Sequence, residues 1–124
     1  TNKLFGGNPA AVIPLENWIA DDMMQSLALE NNLSETVFFV PSGEGYDIRW
    51  FTPAAEINLC GHATLASAFV LYYFLKFSKE KIVFHSKSGK LEVQKKGDIY
   101  VMDFPAWKPE RVYNYPVICV TVLA

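Results

Sequence analysis

A chain of 124 residues has room for one domain with a real core and not for two. With 51% hydrophobic and 19% charged residues it is globular rather than disordered. Its formal net charge of −2 gives no electrostatic reason to expect nucleic acid or an anionic membrane as partner, and the lysines at Lys79, Lys81, Lys95 and Lys96 read as solvated turn ends.

The start, TNKLFGGNPAAV, lacks the basic and then apolar pattern of a leader peptide, so none is expected. Gly6-Gly7-Asn8-Pro9 reads as a tight turn that brings backbone close to a ligand, with Asn8 as a donor to a carboxylate, or simply as a turn. Ala10 to Ile13 is a short buried strand. Asp21 and Asp22 load the first turn of a helix, where the dipole favours acid. Its apolar stripe is expected on Ile19, Met23, Leu27 and Ala28, and Asn31-Asn32 stops it. The period then changes to that of strands. Thr36 to Val40 and Tyr46 to Thr52 flank a turn at Ser42 to Gly45. Glu35 stands at the edge of this apolar strand. A carboxylate there is partly desolvated, the setting that general acid–base work requires, or it is a surface residue in a turn.

Asn58 to Leu75, NLCGHATLASAFVLYYFL, has almost no polar face. It is interrupted by His62, Thr64 and Ser67 and falls short of the roughly 20 residues that a membrane span needs, so it reads as a buried helix over 62–75. A helix apolar on nearly every face must be enclosed. Gly61 lets the backbone turn sharply into it, and the unpaired amides of its first turn suit an anion. The dipole there favours the thiolate of Cys60. A plainer reading makes Cys60 a small buried hydrophobe. Short strands follow at Ile82 to His85, Leu91 to Gln94 and Ile99 to Phe104, with turns at Ser88-Gly89 and Gly97-Asp98, and Val117 to Leu123 reads as one more strand. The fold class is therefore α+β: a curved, barrel-like, mainly antiparallel sheet around a central buried helix, in a single domain over 1–124.

Cys60 and Cys119 are too few for a disulfide framework; they suit free thiols of a reducing, cytoplasmic setting, with a single disulfide left open. No close set of Cys, His, Asp and Glu has metal-ligand spacing along the chain, because His62 and His85 lie far apart, so no metal site is expected. Cys60 beside His62 makes a weak thiol–imidazole pair, since neighbours at a helix start are expected to point apart. There is no phosphate-binding glycine loop and no nucleophile elbow.

FGGNPAAV, NNLSETVFFV, IRWFTPAAEINLCGHATLASA and MDFPA occur in this order from Leu4 to Ala106. Together they resemble the PhzF-like family of phenazine biosynthesis, whose relatives include diaminopimelate epimerase and proline racemase. The resemblance implies two similar halves, each a sheet curled around a central helix, with the active site between them. It implies proton transfer beside a carboxylate-bearing carbon, without metal or pyridoxal phosphate. The family's general acid–base falls on Glu35. Its substrate-lining positions fall on Asn8, Gly61, His62 and Ala63, and Cys60 is a secondary catalytic candidate. This chain then corresponds to the N-terminal half, and no counterpart of the second glycine-rich helix start lies between Pro105 and Ala124. The expectation is an isomerase or epimerase acting on a small carboxylate-bearing metabolite, with little activity in this chain alone. A homodimer or a pairing with the second half would complete the site. The alternative is a non-catalytic module for binding a small anion or for oligomerisation.

Overall fold

The computed structural model describes residues 3–106. Seven strands and two helices follow one another as β1 (Ala10–Pro14), α1 (Asp21–Asn31), β2 (Glu35–Ser42), β3 (Gly45–Phe51), β4 (Glu56–Ile57), α2 (Gly61–Tyr73), β5 (Lys81–Ser86), β6 (Gly89–Lys96) and β7 (Ile99–Asp103). The strands form one mixed sheet in the order β1-β2-β3-β5-β6-β7, with β4 paired to β3. It curls into a half-barrel. The hairpin pairs are antiparallel, whereas β1–β2 and β3–β5 are parallel. The strand expected at Val117 to Leu123 lies outside the described residues.

The two parallel joins place the helices. A strand–helix–strand crossover between parallel neighbours is strongly biased to one hand. Here α1 makes the crossover from β1 to β2, and α2 the one from β3 to β5. Both advance the same way across the sheet, but the β2–β3 hairpin reverses the strand direction between them. The same hand therefore requires the helices on opposite faces.

Packing follows that rule. Val37, Phe39, Ile48, Trp50, Ile82, Phe84, Leu91 and Val93 bury one face of the sheet against Ala63, Ala68 and Leu71 of α2. Phe38 and Phe51 point the other way and pack with Met24 and Ala28 of α1. Strand alternation thus separates two cores with one set of strands. Edge-to-face contacts of Phe39 with Tyr46 and Phe84 fill the α2 side.

Several local expectations shift. The buried stripe of α1 is Met24 and Ala28, while Met23 is 54% exposed. Ile19, ahead of the Ala20 cap, and Leu27 pack against the same cluster as expected, so only Met23 gives way, to Met24. Asn32 does end α1, in a left-handed conformation (φ 47°, ψ 37°). Glu35 is the first residue of β2 and not part of a turn. The short strand β4 pairs beside Trp50 and Phe51 and was not expected.

The enclosure of α2 is the larger correction. Ala63, Thr64, Ser67, Ala68 and Leu71 are buried against the sheet. The opposite side carries half-buried Leu65, Ala66 and Val70 and exposed Phe69, Tyr73 and Phe74. The half-barrel covers one side of this helix only. Its two buried hydroxyls are satisfied by the helix itself: Thr64 Oγ1 donates to the Cys60 carbonyl (2.6 Å) and Ser67 Oγ to that of Ala63 (2.9 Å).

Candidate active site

Three of the segments singled out in the sequence meet at one end of the sheet. β1 pairs with β2 from Ala10 against Glu35, so the turn that precedes Ala10 lies beside the turn that precedes Glu35. Asn8 Nδ2 donates to Ser34 Oγ at 3.0 Å and ties the two turns together. The positive φ in the Gly6-Gly7 region falls on Phe5 (61°).

Glu35 shares strand parity with Val37 and Phe39, and so turns toward α2. Its carboxylate meets the first turn of that helix: Glu35 Oε2 lies 2.9 Å from His62 Nε2. Cys60 is the N-cap residue, with extended backbone (φ −143°, ψ 114°). A cap side chain folds back over the first turn. Cys60 Sγ therefore reaches His62 Nδ1 at 3.4 Å, although neighbours at a helix start were expected to diverge. Gly61 takes no left-handed backbone, and an added Cβ would meet only the Phe104 ring edge, at 3.4 Å. The sharp turn is made by the extended Cys60 and not by glycine freedom.

The thiol also departs from expectation. Burial pushes the Cys60 thiol above its ordinary value of 9.0. The amides of Ala63 and His62 face the sulfur and pull the other way, while the charge of Glu35 and a hydrogen bond to it add to the rise. The helix end lowers the cost of a thiolate without prevailing, and Cys60 is a thiol held in its protonated form.

The fold thus assembles what chain spacing did not show. One ligand-type atom from each of Glu35, Cys60 and His62 lies within 4.8 Å of the other two. The expectation of no ligand-spaced set was made along the sequence, and Glu35 enters it from a different strand. His85 is exposed on β5, paired in register with Asp47 and Lys90, and takes no part.

A cavity of about 1040 Å³ opens beside this corner. His62 and Asn8 line it, and so do Leu65, Ala66, Phe69 and Val70 from the uncovered side of α2. Phe5, Pro9, Val12 and Tyr100 are among the other residues of its wall. Glu35, Cys60, Gly61 and Ala63 lie off that wall, so His62 stands between the carboxylate and the open space. Sequence reasoning did not single out Tyr100 or Phe69. The signal was present: Phe69 lies one helical turn beyond Leu65 and Ala66 on an apolar helix, and one such face had to be left over in a half-barrel.

Residues 1–115 match the family described as phenazine biosynthesis-like protein. The chain belongs to this PhzC–PhzF family. An uncharacterized isomerase of Pseudomonas aeruginosa is 52% identical over 106 residues, 86% of this chain and 41% of that protein. A phenazine biosynthesis-like domain-containing protein of Homo sapiens is 44% identical over 115 residues, 86% of this chain and 40% of its own length. Among solved structures, a PhzF-family protein of Enterococcus faecalis is 52% identical, with a TM-score of 0.82 over 94% of this chain and 45% of that one. The chain thus spans less than half the length of the relatives it matches. The Enterococcus faecalis structure shares its curled sheet and helix.

No helix among the described residues is long and apolar enough to cross a membrane. Cys60 is a free thiol there, and Cys119 lies outside the described residues.

Proposed function

We propose that this chain supplies one wall of a PhzF-type isomerase that moves a proton on a small carboxylate-bearing metabolite. The supporting observation is the corner where Glu35, His62 and Cys60 converge on the first turn of α2, next to the tied turns of Asn8 and Ser34. The named relatives include isomerases. In this reading the Glu35 carboxylate takes a proton from the carbon beside the substrate carboxylate. The C–H electron pair passes into the adjoining π-system, and the proton returns at a second carbon. His62 orients the carboxylate from the cavity side. Cys60, protonated, is the secondary catalytic candidate, as a proton donor. Asn8, with the first-turn backbone of Gly61, His62 and Ala63, binds the substrate's anionic group. No metal or organic cofactor enters this scheme.

The same reading assigns the far wall of the cavity to a second half of the parent protein. It is supported by the uncovered Leu65, Phe69 and Val70 side of α2 and by the greater length of the relatives. The 124-residue chain is then inactive alone. A reducing cytoplasmic compartment suits the free Cys60 thiol.

The test is solvent deuterium incorporation into candidate substrates by a protein carrying this sequence as its first half, with Glu35→Gln beside the parent. Loss of exchange by a factor of about 10²–10⁴ supports the assignment, and unchanged exchange removes it.

A further inference from the structure

Glu35 Oε2 and His62 Nε2 are buried and form an ion pair at 2.9 Å whose geometry is not that of a hydrogen bond. Buried polar atoms are ordinarily matched by well-directed partners. A cation shared between the two side chains gives both atoms such a partner. Cys60 Sγ is the third donor, 3.4 Å from His62 Nδ1, and ligand atoms from all three residues lie within 4.8 Å of one another. Two ligands on one tetrahedral zinc ion are separated by about 3.3–3.7 Å, so rotation of the Glu35 or His62 side chain by about 1 Å at its tip completes the set.

We propose that this corner binds a divalent cation of the zinc class through one carboxylate oxygen, one thiolate and one imidazole nitrogen, and that the bound ion switches proton transfer off. The donor set selects the metal: thiolate with imidazole suits zinc or cobalt and not magnesium or calcium. Carboxylate and thiolate together balance the charge of a dication. The N-terminal end of α2 by itself repels a cation. Here, however, the Glu35 carboxylate and the Cys60 thiolate of the cluster offset that repulsion. Cys60 Sγ–H gives its proton to solvent as the sulfur–metal bond forms, and no electron is transferred. With Glu35 and Cys60 both engaged, the Glu35 carboxylate is not free to accept a substrate proton and Cys60 has none to donate. This switch rests on the acid–base role of Glu35; metal binding does not.

Cobalt titration of the 124-residue chain under anaerobic conditions tests the site. A Cys119→Ser background leaves Cys60 as the sole thiol. The expected result is a thiolate-to-cobalt charge-transfer absorption that saturates at one equivalent and is displaced by zinc. Cys60→Ala abolishes it, and Glu35→Gln and His62→Gln each weaken cobalt binding about tenfold or more. Far-ultraviolet circular dichroism verifies that each variant is folded, and the isosteric Glu35→Gln carries the test if Cys60→Ala does not fold. Absence of the band at millimolar cobalt overturns the proposal, as does a band that neither Glu35→Gln nor His62→Gln weakens. In a protein with both halves, saturating zinc is expected to abolish deuterium exchange. Exchange that persists with the cobalt band saturated leaves the metal site standing, and overturns the switch together with the acid–base reading of Glu35.

Discussion

Glu35 Oε2 sits 2.9 Å from His62 Nε2 because strand parity and a helix cap converge on one point. Glu35 opens β2 on the same face as Val37 and Phe39, which pack against α2. His62 follows the extended Cys60 cap at the start of that helix. A one-residue slip of β2 against β1 would send Glu35 to the α1 side, where Thr36 receives a hydrogen bond from Asn31 Nδ2. The apolar alternation of β2 therefore maintains the site as well as the core.

His62 is expected to act through its grip on Glu35. In a protein with both halves, His62→Gln lowers kcat by about 10- to 100-fold, less than Glu35→Gln, since orientation is lost but the base is kept. KM changes little in His62→Gln, because the orientation of the base is lost and not a substrate contact. A rise in KM with kcat kept would assign His62 to substrate contact instead.

Cys60 is expected to react slowly with alkylating agents. Burial and the neighbouring Glu35 hold its thiol above the ordinary 9.0, so the thiolate is scarce at neutral pH. In the Cys119→Ser background, iodoacetamide labelling rises with an inflection above that value, and Glu35→Gln lowers the inflection by removing the opposing charge. An inflection on the acid side of an ordinary cysteine would show that the amides of His62 and Ala63 prevail.

Local periodicity reveals local elements. The Asp21-Asp22 start, the Asn32 stop and the strand runs around Val37 and Ile48 were all legible, since each depends on neighbours in the chain. The parallel pairing of β3 with β5, in contrast, joins Tyr46 to Phe84 across a helix, and nothing near either residue encodes it. The same limit hid the cluster at the site. Cys60 and His62 are visible as a pair, but Glu35 joins them only through the β1–β2 register and the packing of α2. Hydropathy showed that α2 is apolar all round. It did not show which side this half of the fold leaves open, since that depends on how far the sheet curls.

The two informative glycines separate by mechanism. A Cβ on Gly45 would collide with the backbone carbonyl of Val83, where β3 runs beside β5, and neither main chain can retreat without breaking the parallel join. Gly45→Ala is expected to cost about 1–3 kcal/mol by overpacking. Gly61→Ala meets only the edge of the Phe104 ring and stiffens the first residue of α2, so it changes stability by less than about 1 kcal/mol. Urea unfolding of both variants checks the contrast; equal losses would mean that the Gly45 contact is relieved by a small backbone shift.

Arg49 governs the acid stability of the α1 face. Its guanidinium donates to both Glu56 oxygens at 2.8 and 3.0 Å and to Asp21 Oδ1 at 2.8 Å, and it lies over the rings of Trp18 and Phe51. Those hydrogen bonds hold the carboxyls of Glu56 and Asp21 below the usual carboxylate range, against the opposing effect of burial. In the folded state these groups release their protons more readily than in the unfolded chain. The unfolded state therefore binds more protons as the pH drops through the ordinary carboxylate range. The stabilisation is complete above that range and is lost on acidification toward the depressed folded values. Arg49→Met keeps most of the stem packing and removes the donors, leaving a partly buried Glu56 with only Lys87 at 2.5 Å. The expected loss is roughly 1–2 kcal/mol at pH 7. Thermal unfolding of both proteins between pH 7 and pH 3 should show the gap between them narrowing as the pH falls. A gap that stays constant would locate the contribution of Arg49 in its stacking on Trp18 and Phe51 rather than in its charge.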